Sequence, residues 1–304
     1  MHDVVIIGSG PAGLSAGIAA GRAGLSTLLF EKEGIGGELV NRDHIQNYPG
    51  FPDGIGGPEL RSTLVSTIEA YDPTAVLTEV DDIDPGTPHT IHTPEGEYEA
   101  KTVIVATGGR DAHLDVPGEE DYRGRGVFYC AKCDGPLYQG ETLAVIGGTE
   151  HALIDTKFLA GITDEVIVVC SESTLPAGRE VRTAVEEDPA VEILRDTDVL
   201  EILGTDGLVD GLRIADVDGS NERNLEIGGL YAYVGIEPNT EFLDGIVSLT
   251  ASGHVDVDAA MRTDVDGIYA AGDVRSDSPQ MIPAAIGDGT VAIESIKRYL
   301  DTYP

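Results

Sequence analysis

The sequence predicts an α/β chain made of two doubly wound, three-layer units, one inserted into the other. Three observations carry this. A strand–glycine–helix–strand unit opens the chain at residues 4–31, "VVIIGSGPAGLSAGIAAGRAGLSTLLFE". A second, altered copy spans residues 143–170, "LAVIGGTEHALIDTKFLAGITDEVIVVC". Between and after them lie two apolar runs closed by glycine, "TVIVATGG" at 102–109 and "GIYAAGDV" at 267–274, the pattern of strands buried on both faces.

In the first unit, Val4 to Ile7 feed Gly8-x-Gly10-x-x-Gly13 and an Ala/Gly-rich helix, and the following strand ends in Glu31. That spacing suits a dinucleotide. Gly8 makes the tight turn, Gly10 lets the backbone approach a pyrophosphate, and Gly13 allows close helix–strand packing. The helix N-terminus faces the phosphates, and Glu31 is placed to accept a ribose hydroxyl. In the second unit, aligned without gaps, Gly147 matches Gly8, Thr149 matches Gly10, Ala152 matches Gly13 and Cys170 matches Glu31. The architecture survives, but the close-approach glycine and the ribose acid are gone. Glu172, the next acid, comes two residues late.

Between the units, "AVLTEV", "HTIHT" and "EYEAK" are separated by Asp-Pro-Gly and Pro-Glu-Gly turns and read as a small antiparallel meander. "DVPGEE" at 115–120 and "IEPNTE" at 236–241 read as linkers, which divide the chain into 1–114, an insert at 115–236, and 237–304. Near the end, Gly272-Asp273 closes a strand. An aspartate there suits polyol hydroxyls, though it equally suits a cap for the next segment. "AAIGDGTVAIESIKRYL" then forms an amphipathic helix.

The 54 acidic and 19 basic residues give a net charge of −35. We read this as adaptation of the whole surface to molar salt, where the Debye length is about 3 Å and self-repulsion is screened. Nucleic acid is excluded as a partner, since phosphates would meet like charge. No apolar run reaches the roughly 18 residues that span a bilayer, and no basic leader precedes the first strand. With three cysteines there is no secreted disulfide scaffold, so a cytoplasmic protein is expected.

Two of those cysteines form Cys130-x-x-Cys133, followed by Asp134. Zinc needs about four suitably spaced ligands. Here Cys170 stands alone and His151 belongs to another segment, so no metal site is expected. A structural disulfide this short closes almost no loop and adds little stability. Redox chemistry remains: one thiol of such a pair has a lowered pKa and attacks disulfides as the thiolate. Asp134 could pass a proton to the leaving thiolate or cap the next turn.

Taken together these residues resemble the low-molecular-weight thioredoxin reductase family of flavoproteins, in a haloarchaeal form. The likeness runs in order through Gly8-Ser9-Gly10-Pro11-Ala12-Gly13, Gly36-Gly37-Glu38-Leu39, Asn47-Tyr48-Pro49-Gly50 and Ala106-Thr107-Gly108. It continues through Cys130 to Gly135, Pro238-Asn239-Thr240 and Gly267 to Asp273. The resemblance implies two Rossmann-like three-layer domains: an FAD domain from both chain ends, interrupted by a CxxC-bearing NAD(P)H-type domain. It implies that Gly8, Gly10, Pro11, Ala12, Gly13 and Glu31 hold the ADP half of FAD. Gly37, Glu38, Asn47, Ala106, Thr107, Gly108 and Gly272 would complete the site. Asp273 would take the ribityl chain and Gln280 would lie at the isoalloxazine. It further implies a homodimer in which the insert swivels, Cys133 takes electrons from the flavin, and Cys130 attacks a thioredoxin-like protein.

Two departures matter. The family's Arg-Gln-Ala beside the flavin reads Pro279-Gln280-Met281. More seriously, the arginines that grip the 2′-phosphate of NADPH are missing from "VCSESTLPAGRE", which has no basic residue before Arg179. NADPH is therefore expected to be a poor donor, and reduced ferredoxin, used by some similar proteins, is the alternative. Two other readings of the cysteines stay open at this point: a dithiol oxidase that passes electrons to oxygen, and a flavin redox sensor without turnover.

Overall fold

A computed structural model describes residues 1–303 apart from 43, 44, 46 and 72. The chain divides into two compact units, Met1–Arg110 with Glu237–Pro304, and Asp111–Ile236.

In the first unit β1 (His2–Ile7) runs into α1 (Pro11–Arg22), followed by β2 (Thr27–Glu31), α2 (Gly57–Glu69) and β3 (Thr74–Leu77). The hairpin β4 (Asp82–Asp84) and β5 (His89–Thr93) leads into the long β6 (Gly96–Val105), and β7 (Gly109–Asp111) leaves the unit. The second unit contains β8 (Val127–Phe128), α3 (Ala131–Asp134), β9 (Thr142–Ile146), α4 (Glu150–Ala160), β10 (Glu165–Val169), α5 (Arg179–Glu186) and β11 (Val191–Leu194). Next come β12 (Thr197–Thr205), β13 (Leu208–Asp216), β14 (Arg223–Glu226) and β15 (Gly229–Ala232). The chain returns through β16 (Ile236–Pro238), which pairs with β7, to β17 (Ile268–Ala270) and α6 (Ile282–Leu300).

Parallel pairing in the first unit runs β3-β2-β1-β6-β17, and the first half of β6 also pairs antiparallel with β5. The apolar run of β1 serves both faces of this sheet. Val4 and Ile6 join the core beneath α1 and α6, whereas Val5 and Ile7 join the opposite core with Leu28 and Val103. Burial on two sides explains why this strand is continuously apolar. α6 seats closely on α1: a Cβ at Gly289 would lie 2.2 Å from the Ala12 carbonyl oxygen.

In the second unit β11-β10-β9-β15-β8 form a parallel sheet, with β12-β13-β14 as a separate antiparallel layer. The α/β class is as expected from the sequence. The antiparallel layer is not expected from it, and the expected meander is only partly right: β5 and β6 pair antiparallel, but β3, within "AVLTEV", pairs parallel with β2 and belongs to the main sheet. Among the described residues, no helix is long and apolar enough to cross a membrane.

Candidate functional site

The glycine turn after β1 lies at the C-terminal edge of the parallel sheet, where open α/β sheets take ligands. Gly8 has φ +100°, and a Cβ there would meet the Ala106 carbonyl oxygen at 2.4 Å. A Cβ on Gly13 would fall 1.9 Å from the Gly8 carbonyl oxygen. Packing therefore demands both glycines. Gly10 differs, because the space a Cβ would take is open to 4 Å. α1 has Gly10 at its N-cap, Pro11 in the first turn and no capping side chain, which leaves first-turn N–H groups for an anion. Gly37, at φ +51°, backs onto this cradle, its would-be Cβ 3.1 Å from the Gly10 Cα. Glu31 stands at the end of β2. Its Oε2 accepts the Ser9 N–H at 3.0 Å and the Ser9 hydroxyl at 2.5 Å, and its Oε1 accepts the Glu33 N–H at 2.9 Å.

Ala106, Thr107 and Gly108 follow β6 on the same edge. The Thr107 hydroxyl donates to the Asn239 carbonyl at 2.8 Å, the Asn239 amide donates to the Thr107 carbonyl at 2.9 Å, and the Asn239 N–H reaches Gly108 O at 3.0 Å. Gly272, at φ +82°, brings its would-be Cβ within 2.9 Å of the Ala12 Cβ. Its N–H donates to Asp288, which is also held by both sides of the Arg275 guanidinium at 2.7 and 3.0 Å. Asp273 accepts the Ser278 hydroxyl at 2.9 Å, and burial raises its carboxyl above the ordinary range. Glu38, Asn47 and Gln280 are exposed; Gln280 has φ +54° and donates its N–H to Ser278 Oγ at 3.2 Å. An uncapped helix start, an empty space at Gly10 and a half-buried acid at the sheet edge fit a dinucleotide such as FAD.

In the second unit Cys130 and Cys133 form a disulfide with their Cα atoms 5.3 Å apart. Cys130 is the N-cap of the one-turn α3, and its sulfur accepts the Cys133 N–H at 3.3 Å. Cys130 is half-buried and Cys133 exposed. Asp134 ends the turn, and burial raises its carboxyl. Tyr129, on the other side, donates to the buried Glu119 at 2.7 Å.

The second nucleotide-type turn is built differently from the first. Thr149 at the N-cap of α4 has φ −66° and ψ 162°, close to the φ −66° and ψ −172° of Gly10. Its hydroxyl, however, accepts the Ala152 N–H at 3.4 Å. The sequence shows only that the close-approach glycine is gone; the structure shows a hydrogen-bonded cap that takes a donor for itself. The chain beyond β10 then folds in. Leu175 is buried, a Cβ on Gly148 would lie 2.9 Å from it, and Glu150 accepts the Gly178 N–H at 3.0 Å. Cys170 is buried here, and desolvation pushes its thiol up.

Ser9, Asn239, Arg275 and Asp288 were not singled out from the sequence as site residues, although Ser9 and Asn239 lie inside quoted motifs. Only their long-range partners reveal them.

The profile of the pyridine nucleotide-disulphide oxidoreductase family matches residues 2–289. The chain is 32% identical over 302 residues to thioredoxin reductase of Bacillus subtilis, covering 99% of this chain and 95% of that protein. The crystal structure of Lactococcus lactis thioredoxin reductase is similar at a TM-score of 0.94 and 33% identity, covering 99% and 100% of the two chains. A ferredoxin-flavin thioredoxin reductase from Clostridium acetobutylicum is similar at a TM-score of 0.54 and 31% identity, covering 99% and 98%. With a profile match along nearly its whole length and full-length relatives above 30% identity, the chain belongs to the pyridine nucleotide-disulphide oxidoreductase family, among the thioredoxin reductases.

Proposed function

We propose that the protein reduces the disulfide of a thioredoxin-like protein through Cys130 and Cys133, with FAD as cofactor and reduced ferredoxin, rather than NADPH, as donor. The observation that carries the reading is the Cys130–Cys133 disulfide at a helix start, in a chain that also keeps an open dinucleotide cradle at Gly10. Bound FAD supplies a two-electron reducing centre. Gly8 to Gly13 would hold its pyrophosphate, Glu31 a ribose hydroxyl and Asp273 the ribityl chain.

The dithiol then does the exchange. The Cys133 N–H aimed at the Cys130 sulfur favours a thiolate at Cys130, as a helix N-terminus does. That thiolate attacks one sulfur of the partner's disulfide; the partner's S–S bond breaks and a mixed disulfide forms. Cys133 displaces the partner, which leaves as a dithiol, and the Cys130–Cys133 bond is restored. Asp134, its carboxyl raised by burial, protonates the leaving thiolate.

Against NADPH stand the Thr149 cap, the infolded Leu175 and the absence of basic residues between Val169 and Arg179. Each missing charge-assisted hydrogen bond costs about 1.5–3 kcal/mol, roughly tenfold to a hundredfold in affinity. Two reduced ferredoxins, each giving one electron, meet no such requirement. We take the working form to be a cytoplasmic homodimer, a reading that rests on the resemblance and on the cysteine content. The test is anaerobic: mix the FAD-loaded protein with excess NADPH, NADH or reduced ferredoxin and follow the flavin's visible absorption. Ferredoxin should bleach it rapidly and NADPH slowly. Rapid bleaching by micromolar NADPH would overturn the donor assignment.

A further inference from the structure

Beneath the dithiol helix runs a polar chain that the exchange described above does not use. Tyr233, just beyond β15, is 6% exposed. Its hydroxyl donates to Asp155 Oδ2 at 2.6 Å and accepts the Ala131 N–H at 3.2 Å. Asp155, on α4, is also 6% exposed. One turn earlier His151 brings Nε2 to 3.5 Å of the same carboxylate oxygen and sets its ring edge-on to Tyr233, centroids 5.0 Å apart. Ala131 is fully buried, lies between the two cysteines and begins α3. Burial and the neighbouring carboxylate hold the Tyr233 phenol protonated, so it remains a donor to Asp155 and an acceptor for Ala131.

We infer that Tyr233, anchored by Asp155, is a positioning residue for the redox pair: it grips the start of the CxxC helix through Ala131 and so favours the dithiol over the disulfide. The inference rests on the reading of Cys130 and Cys133 as the reducing couple. In the disulfide, the S–S bond itself ties residue 130 to residue 133. Reduction breaks that bond: the pair gains two electrons and two protons, and an external dithiol is oxidised to its own disulfide. The helix start is then held by non-covalent contacts, among them the Cys130 carbonyl taking the Cys133 and Asp134 N–H groups, the Cys130 sulfur facing the Cys133 N–H, and Tyr233 taking the N–H of Ala131. Losing the phenol oxygen leaves a buried N–H without its partner, and the covalent staple limits the resulting disorder in the disulfide state alone. The dithiol should suffer more.

The full-length, FAD-loaded protein is equilibrated anaerobically in dithiothreitol redox buffers, acid-quenched, unfolded and tagged with a maleimide. One tagged thiol (Cys170) marks the disulfide form and three mark the dithiol. Tyr233→Phe should need about a tenfold higher ratio of reduced to oxidised dithiothreitol at the midpoint, equivalent to about 30 mV. The melting temperature of its disulfide form should fall less than that of its dithiol form. A merely structural role would weaken both redox states alike and leave the midpoint unmoved; a midpoint unchanged or shifted the other way overturns the inference. A wild type that never yields three thiols would instead overturn the underlying reading, and the inference with it. Should Tyr233→Phe fail to fold, hydrogen exchange on the wild type decides. The Ala131 amide should stay protected in both redox states, and loss of protection on reduction would contradict the grip.

Discussion

Cys130 and Cys133 share one turn of helix but not one environment. The first is half-buried with an N–H on its sulfur, and the second is exposed. If Cys130 is the attacking thiol, Cys133→Ser should accumulate a covalent adduct with thioredoxin that added dithiol releases, while Cys130→Ser should not. Non-reducing electrophoresis reads this directly, and the opposite pattern would exchange the two roles. Asp134 invites a second test. Because burial raises its carboxyl above the ordinary 3.8, the folded protein holds that proton more tightly than the unfolded chain. Its burial therefore costs stability above the raised value, and the cost vanishes as pH falls below the ordinary one. Asp134→Asn should melt slightly higher at neutral pH, yet turn over about a hundredfold more slowly. It should also lose the decline in rate that follows deprotonation of Asp134 as pH rises. A variant with wild-type turnover would remove Asp134 from the proton transfer; its side chain makes no capping hydrogen bond to the following turn. The cysteines and Asp134 were legible from spacing. Tyr233 and Asp155 were not, because their partners lie 102 and 78 residues away and a lone buried tyrosine has no pattern.

Two elements of the same design, the turns before α1 and α4, differ in who occupies the helix start. Gly13 and Gly10 separate packing from binding. Gly13→Ala drives a Cβ to 1.9 Å of the Gly8 carbonyl oxygen, so it should cost at least the roughly 1–3 kcal/mol typical of overpacking and lose FAD as well. Gly10→Ala meets open space; it should cost at most about 1 kcal/mol as a poorer N-cap. Its FAD affinity should nonetheless fall at least tenfold. Thermal melts of the apoprotein and flavin-fluorescence titration separate the two effects, and wild-type FAD affinity in Gly10→Ala would remove the cradle from the account. The sequence shows the substitution of Thr149 for a glycine but not its hydrogen bond, because a cap depends on backbone geometry. The β12–β13 ladder escaped for a related reason. Register shifts between Val199 and Glu201 and between Leu203 and Gly204 break the alternation that marks a strand pair.

At the scale of the whole molecule, charge governs how the protein responds to its solvent. With 54 acidic and 19 basic side chains, most carboxylates have no cation to meet, whatever ion pairs form. Pairs such as Arg262–Asp258 and Lys297–Glu294 lie on the surface and contribute little individually. Dilution from molar salt to about 0.1 M lengthens the screening distance from about 3 to about 10 Å. The melting temperature should fall and FAD fluorescence should appear in solution; a protein equally stable and loaded at low salt would contradict adaptation to salt. The central claim, that electrons pass from FAD through this dithiol to a protein disulfide, needs no natural donor for its test. The FAD-loaded protein is photoreduced anaerobically, without nucleotide, and mixed with an oxidised thioredoxin while flavin absorbance and free thiols are followed together. The account predicts reoxidation of the flavin with two thioredoxin thiols per flavin, abolished in Cys130→Ser and Cys133→Ser. A flavin that stays reduced beside an intact thioredoxin disulfide, and reoxidises only when oxygen is admitted, would contradict it.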